Sequence, residues 1–245
     1  MIYRQVLAAL VLFFLISHPA HGAEKITLFM TEIPGQTMLD DSEPGVALEI
    51  LRTVAKRADI TIEERFVPWV RAVKSVERSK AALIVPFSQT PARQKLFVWI
   101  VPIYDLQFGF VSLGKPVNDM NTARQLNRIG VWRGSSMEEE LRREGFKNLI
   151  PVTSDQTLEK MLVGNRFAAW YGSLNEAAYK FRGINEINRS RLHFGKTVNS
   201  YAVWIAAGKG FPAATLKKIR STVSDMKADG TIQAIMKRYG MDATR

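Results

Sequence analysis

From residue 25 onward the apolar and polar positions switch repeatedly between a period of about two and one of about 3.6, the mark of strands alternating with helices. Lys25-Ile-Thr-Leu-Phe-Met30 reads as a strand, broken by the turn residues Ile33-Pro34-Gly35 and a polar loop up to Pro44. Across 46–57, Val46, Ile50, Leu51 and Val54 recur at helical spacing, and 60–66 alternates as a strand again. Pro68 suits the first position of a second helix, continued by Trp69, Val70, Ala72 and Val76, and 81–85 forms a buried strand. Strand-rich stretches at 97–101 and 107–113 lead into Gly114-Lys115-Pro116 and the polar segment 118–127, where the pattern places the first crossing between two halves of the chain.

The alternation then begins afresh. A strand over 128–132 is followed by the loop Arg133-Gly134-Ser135-Ser136 and a helix over 137–143, whose first turn carries Glu138, Glu139 and Glu140, suited to the positive end of a helix. A strand over 148–152, a helix over 155–163, a strand over 168–171 and a helix over 174–181 complete a second α/β unit. A strand over 201–207 crosses back, Phe211-Pro212 opens a long amphipathic helix ending near Gly230, and a last helix spans 231–239. The fold class is therefore α/β, two-lobed, with two open and mainly parallel sheets. Sheets of this kind collect ligands beyond the carboxyl ends of their strands, which here is the cleft between the lobes.

Ahead of this pattern, residues 1–23 hold one positive charge at Arg4, an apolar stretch over 6–16, and small residues at Ala20, Gly22 and Ala23. That is the layout of a secretory signal peptide cleaved near Ala23, and the apolar stretch is short of the roughly 20 residues a membrane span needs. The expected organisation is a signal peptide at 1–23, a first lobe at 24–112, a second at 113–202, and a return to the first lobe at 203–245. The protein is expected in the periplasm, as a monomer.

Composition narrows the chemistry. There is no cysteine, and the three histidines are His18, His21 and His193, so thiolate and His-rich metal centres are excluded and no cofactor is expected. The formal charge is +11, and +10 once Arg4 is removed with the leader. The basic residues are scattered in short pairs such as Arg142-Arg143 and Lys217-Lys218, and the export signal argues against a nucleic-acid partner. The excess reads as solvated surface with a bias towards negatively charged ligands.

Five blocks carry a resemblance: Gly45-Val-Ala-Leu-Glu-Ile-Leu-Arg-Thr-Val-Ala, Pro68-Trp-Val-Arg-Ala, Ser88-Gln-Thr-Pro-Ala-Arg93, Gly134-Ser-Ser136, and the run from Met226 to Tyr239. In order and spacing they resemble the type II periplasmic solute-binding proteins, bacterial extracellular family 3, in the amino-acid-binding branch of the histidine- and lysine/arginine/ornithine-binding proteins. The resemblance covers nearly all of 24–243. It implies that Ser88 and Arg93 present a hydroxyl and a guanidinium to a ligand carboxylate; a rigid Arg fork fits two carboxylate oxygens, and Thr90-Pro91 would open a short helix whose free N–H groups favour an anion. It also implies that Ser135 and Ser136 close over the same carboxylate from the second lobe, although a Ser there equally caps a helix.

Members of that branch carry an Asp just past a second-lobe strand to receive the ligand ammonium, and Gly172 stands at that position here. Unless Glu32, on the loop after the first strand, or another acid substitutes, a buried ammonium lacks a partner at a cost of several kcal/mol. Trp69 either packs beside the hinge or forms a wall of the pocket. Of Trp170 and Tyr171, strand alternation sends one into the core and one, Tyr171, towards the cleft.

The resemblance implies capture of a small anionic or zwitterionic solute by lobe closure and its delivery to an inner-membrane ABC permease. A periplasmic sensor subunit is the first alternative, and a cyclohexadienyl dehydratase-like enzyme, which would need a cleft acid such as Glu32, is the second. No catalytic residue is assigned. Replacing Arg93 by Ala is expected to abolish binding and, for a surface position, to leave stability within about 1 kcal/mol.

Overall fold

The computed structural model describes residues 25–183 and 185–241, so the expected leader lies outside the described residues. Among the described residues no helix is long and apolar enough to cross a membrane.

The chain runs β1 (Ile26–Met30), α1 (Val46–Ala58), β2 (Ile62–Phe66), α2 (Trp69–Glu77), β3 (Ala82–Ser88), β4 (Val98–Leu113) and α3 (Met120–Arg124). It continues through β5 (Ile129–Trp132), α4 (Ser136–Arg143), β6 (Leu149–Val152), a 3-10 turn at Asp155–Thr157, α5 (Leu158–Val163), β7 (Ala169–Ser173) and α6 (Leu174–Lys180). After a second 3-10 turn come α7 (Glu186–Arg191), β8 (Leu192–Phe194), β9 (Asn199–Ala207), α8 (Ala213–Ala228) and α9 (Thr231–Arg238).

Hydrogen bonds link the strands in the order β2-β1-β3-β9-β4-β7-β5-β6, with β8 on β4. Two parallel groups, β2-β1-β3 and β6-β5-β7, stand at opposite ends. Between them β9 and β4 run antiparallel to their neighbours and to each other. The two expected sheets are thus joined edge to edge through β4 and β9. Burial follows the pattern that predicted it: β1 buries Ile26, Leu28 and Met30, whereas β3 is apolar and buried on both faces from Ala82 to Phe87.

Strand β4 departs from expectation. The sequence suggested two strands, at 97–101 and 107–113, but a single strand of 16 residues runs from Val98 to Leu113. It accommodates Pro102, which has no N–H to donate, at an irregularity in its register with β9 between Pro102 and Tyr104. β4 pairs with β9 up to Phe108 and with β7 from Phe108 to Ser112. The chain therefore passes between the halves along β4 and returns along β9, and the polar segment once expected to hold the crossing carries α3, capped by Asp119. α1 packs on α8 and α9, α2 covers β1 and β3, and α6 lies against β4.

Candidate functional site

The carboxyl end of β3 delivers Ser88 and, after a turn, Arg93. That turn is not the helix expected at Thr90-Pro91: the Thr90 carbonyl accepts from the N–H of Arg93 at 3.0 Å and of Gln94 at 2.9 Å, and no longer helix develops. Arg93 is 5% exposed, so the surface position assumed for it in the sequence is corrected. Its guanidinium lies 4.8 Å from the centre of the Phe87 ring and 5.9 Å from that of Trp69. Nη2 donates to the Gly134 carbonyl at 2.9 Å and to Glu139 Oε1 at 2.6 Å. Burial draws the guanidinium below its ordinary pKa, and the Glu139 carboxylate offsets part of that.

Both of those acceptors belong to the other half of the chain. The loop after β5 turns at Gly134, whose φ of 71° suits glycine, and a Cβ there would stand 3.0 Å from Val70 Cγ2. The Gly134 carbonyl also accepts from Trp69 Nε1 at 2.9 Å, so two first-half side chains converge on one oxygen. Ser135 caps α4: its hydroxyl accepts from Glu138 N at 3.2 Å and donates to the Trp132 carbonyl at 2.6 Å. The three consecutive glutamates of α4 have separate tasks. Glu138 accepts from Gly134 N and pairs with Arg142, Glu140 accepts from Tyr171 and Asn199, and Glu139 reaches across to Arg93 and Thr90.

Between these groups lies a cavity of about 40 Å³. Its polar lining is Ser88, Arg93, Ser135, Ser136 and Glu176, and its apolar walls include Trp69, Trp132, Phe108, Leu106, Met137 and Val203. Trp69 and Trp132 face each other with ring centres 4.9 Å apart. Among the described residues, Trp132 Nε1 is a buried donor without a partner. Such a donor is costly unless something else supplies the acceptor.

The chain matches the bacterial extracellular solute-binding proteins, family 3, over residues 29–242. It belongs to that family. This solute-binding protein is 28% identical over 211 residues to the amino-acid-binding protein AabA of Dichelobacter nodosus, a match covering 81% of this chain and 79% of the relative. Its fold is similar to that of an ancestral arginine-binding protein bound to arginine, with a TM-score of 0.77 at 16% identity, covering 88% of this chain and 98% of the other. A histidine kinase sensor domain with similarity to periplasmic binding proteins gives a TM-score of 0.78 at 16% identity, covering 88% and 95% of the two chains.

Of the residues the sequence singled out in this solute-binding protein, Arg93, Ser88, Ser135, Ser136 and Trp69 line one cavity. Glu32 and Tyr171 do not line it. Glu32 is half-buried on the loop after β1. Tyr171 is fully buried: its ring centre lies 4.8 Å from that of Phe110 and its hydroxyl donates to Glu140 Oε2 at 2.8 Å. Trp170 is equally buried, so β7, covered on both faces, turns neither aromatic to an open cleft.

Sequence reasoning missed Glu176. It sits on α6 behind the cap Ser173, whose hydroxyl accepts from Glu176 N at 3.2 Å. The Ser-x-x-Glu spacing marks a helix start, where the Glu side chain ordinarily turns back to the cap. Here it lines the cavity instead. Burial, helped by the Asp155 carboxylate, pushes its carboxyl up to about 8, against the opposing pull of Lys180 and a hydrogen bond with Gln36. Gly172 has no room for the acid expected at its position, because a Cβ there would stand 2.7 Å from the Trp170 ring.

Proposed function

We propose that this protein captures a small amino-acid-like solute with a carboxylate in the cleft between its lobes, carries out no reaction on it, and delivers it from the periplasm to an inner-membrane ABC importer. The observation that carries the reading is the convergence, on one cavity, of Arg93 and Ser88 from the first lobe with Ser135 and Ser136 from the second, while the Gly134 carbonyl accepts from Arg93. Residues 24–112 with 203–245 form one lobe and 113–202 the other, exported behind a leader at 1–23, and the protein acts as a monomer. A cavity of about 40 Å³ holds a few waters, so a solute of amino-acid size enters only as Glu139 swings aside and the lobes part. Closure is then driven by the solute's greater affinity for the closed arrangement.

Support for an amino-acid-like ligand comes from similar proteins, an amino-acid-binding protein and an arginine-binding protein. The likeness to a histidine kinase sensor domain favours a second output, in which the loaded protein is read by a receptor instead of a permease. Thermal-shift and calorimetric titration with each of the twenty common L-amino acids is the test, with scattering to detect compaction. Binding lost in Arg93→Ala supports the reading; a variant that binds as tightly as the wild type defeats the site. Co-isolation with an ABC permease rather than a receptor decides the output.

A further inference from the structure

We propose that the outward face of α2 is a docking surface for anionic lipid, by which the protein settles on a bilayer containing acidic phospholipid with the seam between its halves turned towards it. This goes beyond the binding function and does not depend on which solute the cleft takes.

Positive charge is matched over one side of the first half and unmatched on another. Beside α1, Arg52 pairs with Asp41 and Glu64, Arg57 with Asp229, and Arg238 with Glu49. On α2 and its C-cap, Arg71, Lys74 and Arg78 recur at helical spacing, and all three are exposed. Among the described residues none of them makes an ion pair. With Pro68, Val70 and Ser75 they line a groove of about 480 Å³. From Arg71 to Arg78 the row of cations runs about 10 Å along the axis. Lys80 extends it, and the turn carrying Lys209 abuts Lys80, since a Cβ on Gly210 would stand 3.5 Å from Lys80 Cγ. Over 68–80 and this turn, the cations Arg71, Lys74, Arg78, Lys80 and Lys209 face a single acid, Glu77, which does not line the groove.

The inner side of α2 is committed to the core through Trp69, Ala72 and Val76. On the outer side Val70 is 44% exposed, so an apolar side chain stands beside the cations, a combination that suits the boundary between headgroups and acyl chains. None of the residues lining the groove is buried. It therefore lacks the desolvated polar group with which a pocket selects one acid, whereas long exposed cations in a row match a continuous layer of phosphates.

The face also has a definite place beside the cleft. α2 begins at Trp69, which lines the solute cavity and donates to the Gly134 carbonyl of the other half. The next residue, Val70, belongs to the groove, and its Cγ2 lies 3.0 Å from where a Cβ on Gly134 would be. The groove thus borders the seam, and Arg133, exposed in the facing loop, adds a cation from the second half. Adsorption on this face holds the seam against the bilayer, where a membrane-embedded importer would meet it. Each cation within reach of the phosphates adds about fivefold to the partition.

The experiment is co-sedimentation of the protein, freed of the expected leader at 1–23 so that its apolar stretch does not itself bind lipid. The vesicles are phosphatidylcholine alone or phosphatidylcholine with about one-third phosphatidylglycerol. Partition onto the acidic vesicles is expected to exceed that onto the neutral ones by about 100-fold at low salt, and to vanish near 1 M NaCl, where the Debye length is about 3 Å. Lys74→Glu with Arg78→Glu should lower it by about 25-fold or more. Lys217→Glu with Lys218→Glu, the same change in net charge at exposed positions of α8, should lower it by less than about threefold. Equal losses in the two variants, or equal partition onto both kinds of vesicle, overturn the proposal. Binding of soluble poly-L-glutamate but not of the acidic vesicles also overturns it, in favour of an acidic polypeptide partner. If the charge reversal on α2 does not fold, Lys74→Gln with Arg78→Gln replaces it, with an expected loss of about tenfold.

Discussion

The carboxylate of Glu139 spans the cleft, one oxygen 2.6 Å from Arg93 Nη2 and the other 2.6 Å from the Thr90 hydroxyl. Arg93 is the guanidinium proposed to meet a ligand carboxylate, and Thr90 lies in the same segment as Ser88, the proposed hydroxyl, so α4 seats an internal carboxylate on the segment proposed to bind the anion. The pair is uneven in burial: the Arg93 side chain is 6% exposed and that of Glu139 31%. Arg93 has nowhere else to go, whereas Glu139 can turn to water. On the proposed function, a solute carboxylate would enter by exchange, one charge-assisted bond for another.

Glu139→Gln removes the competing charge. Affinity for carboxylate-bearing amino acids is expected to rise by about 1 kcal/mol, roughly fivefold, while the empty protein loses about 1–2 kcal/mol because Arg93 keeps a weaker partner. Calorimetry and urea unfolding measure the two. Affinity that is unchanged or reduced means that Glu139 is part of the bound site and not a placeholder.

Trp132 gives the opposite signature. Among the described residues its Nε1 is a buried donor without a partner, and Trp132 lines the cavity. Trp132→Phe removes the orphaned donor and keeps most of the tilted aromatic contact with Trp69. Stability is expected to change by less than about 1 kcal/mol, while solute affinity falls about five- to tenfold as a hydrogen bond is lost. A loss of stability without a loss of affinity would show that the indole only packs.

Glu176 links pH to stability. Its folded pKa of about 8 lies above the ordinary 4.5, so between those values the native state holds a proton that the unfolded chain has released. The stability this contributes is complete below about pH 4.5 and is lost as pH rises through 8, with a slope approaching about 1.4 kcal/mol per unit. Denaturant midpoints from pH 5 to 8 for wild type and Glu176→Gln isolate the effect. The wild type should lose stability relative to the variant as pH rises, and parallel curves would contradict it.

Much of the fold was legible because its periodicities are long and unbroken. The alternation in β1, the doubly buried run of β3 and the helical spacing of Val46, Ile50, Leu51 and Val54 each have one low-energy reading. β4 was read as two shorter strands, at 97–101 and 107–113; the structure carries Pro102 within one strand at a register irregularity. The site was half legible. Arg93, Ser88, Ser135 and Ser136 stand in local motifs, but Glu139 and Glu176 resemble ordinary first-turn glutamates, and their roles depend on which residues lie across the cleft. Tyr171 was misassigned because strand alternation says which residues share a face and not whether that face is covered.

The buried pair of Asp155 and Lys180 has side chains 1% and 2% exposed, and Asp155 Oδ1 has no hydrogen-bond partner among the described residues. Lys180→Met leaves that carboxylate without its cation, which is expected to cost about 3–5 kcal/mol in urea unfolding. Because Lys180 also opposes the rise in the Glu176 pKa, the variant should hold the Glu176 proton to higher pH than wild type. A stability loss below about 1 kcal/mol would mean that the buried pair contributes little to the fold.

Gly172→Asp tests why the acid sits one turn further on. The new Cβ would meet the Trp170 ring at 2.7 Å, a ring that is itself fully buried and packed against Phe181 and Lys180. Either the indole moves off its neighbours or β7 shifts against β4, and the expected cost is about 1–3 kcal/mol. If the indole is the sole obstacle, Trp170→Ala made together with Gly172→Asp should cost less than the sum of the two single changes, because the cavity left by the ring takes the carboxylate. Thermal unfolding of the four proteins gives the coupling. A sum of independent losses would mean that something other than Trp170 keeps this position a glycine.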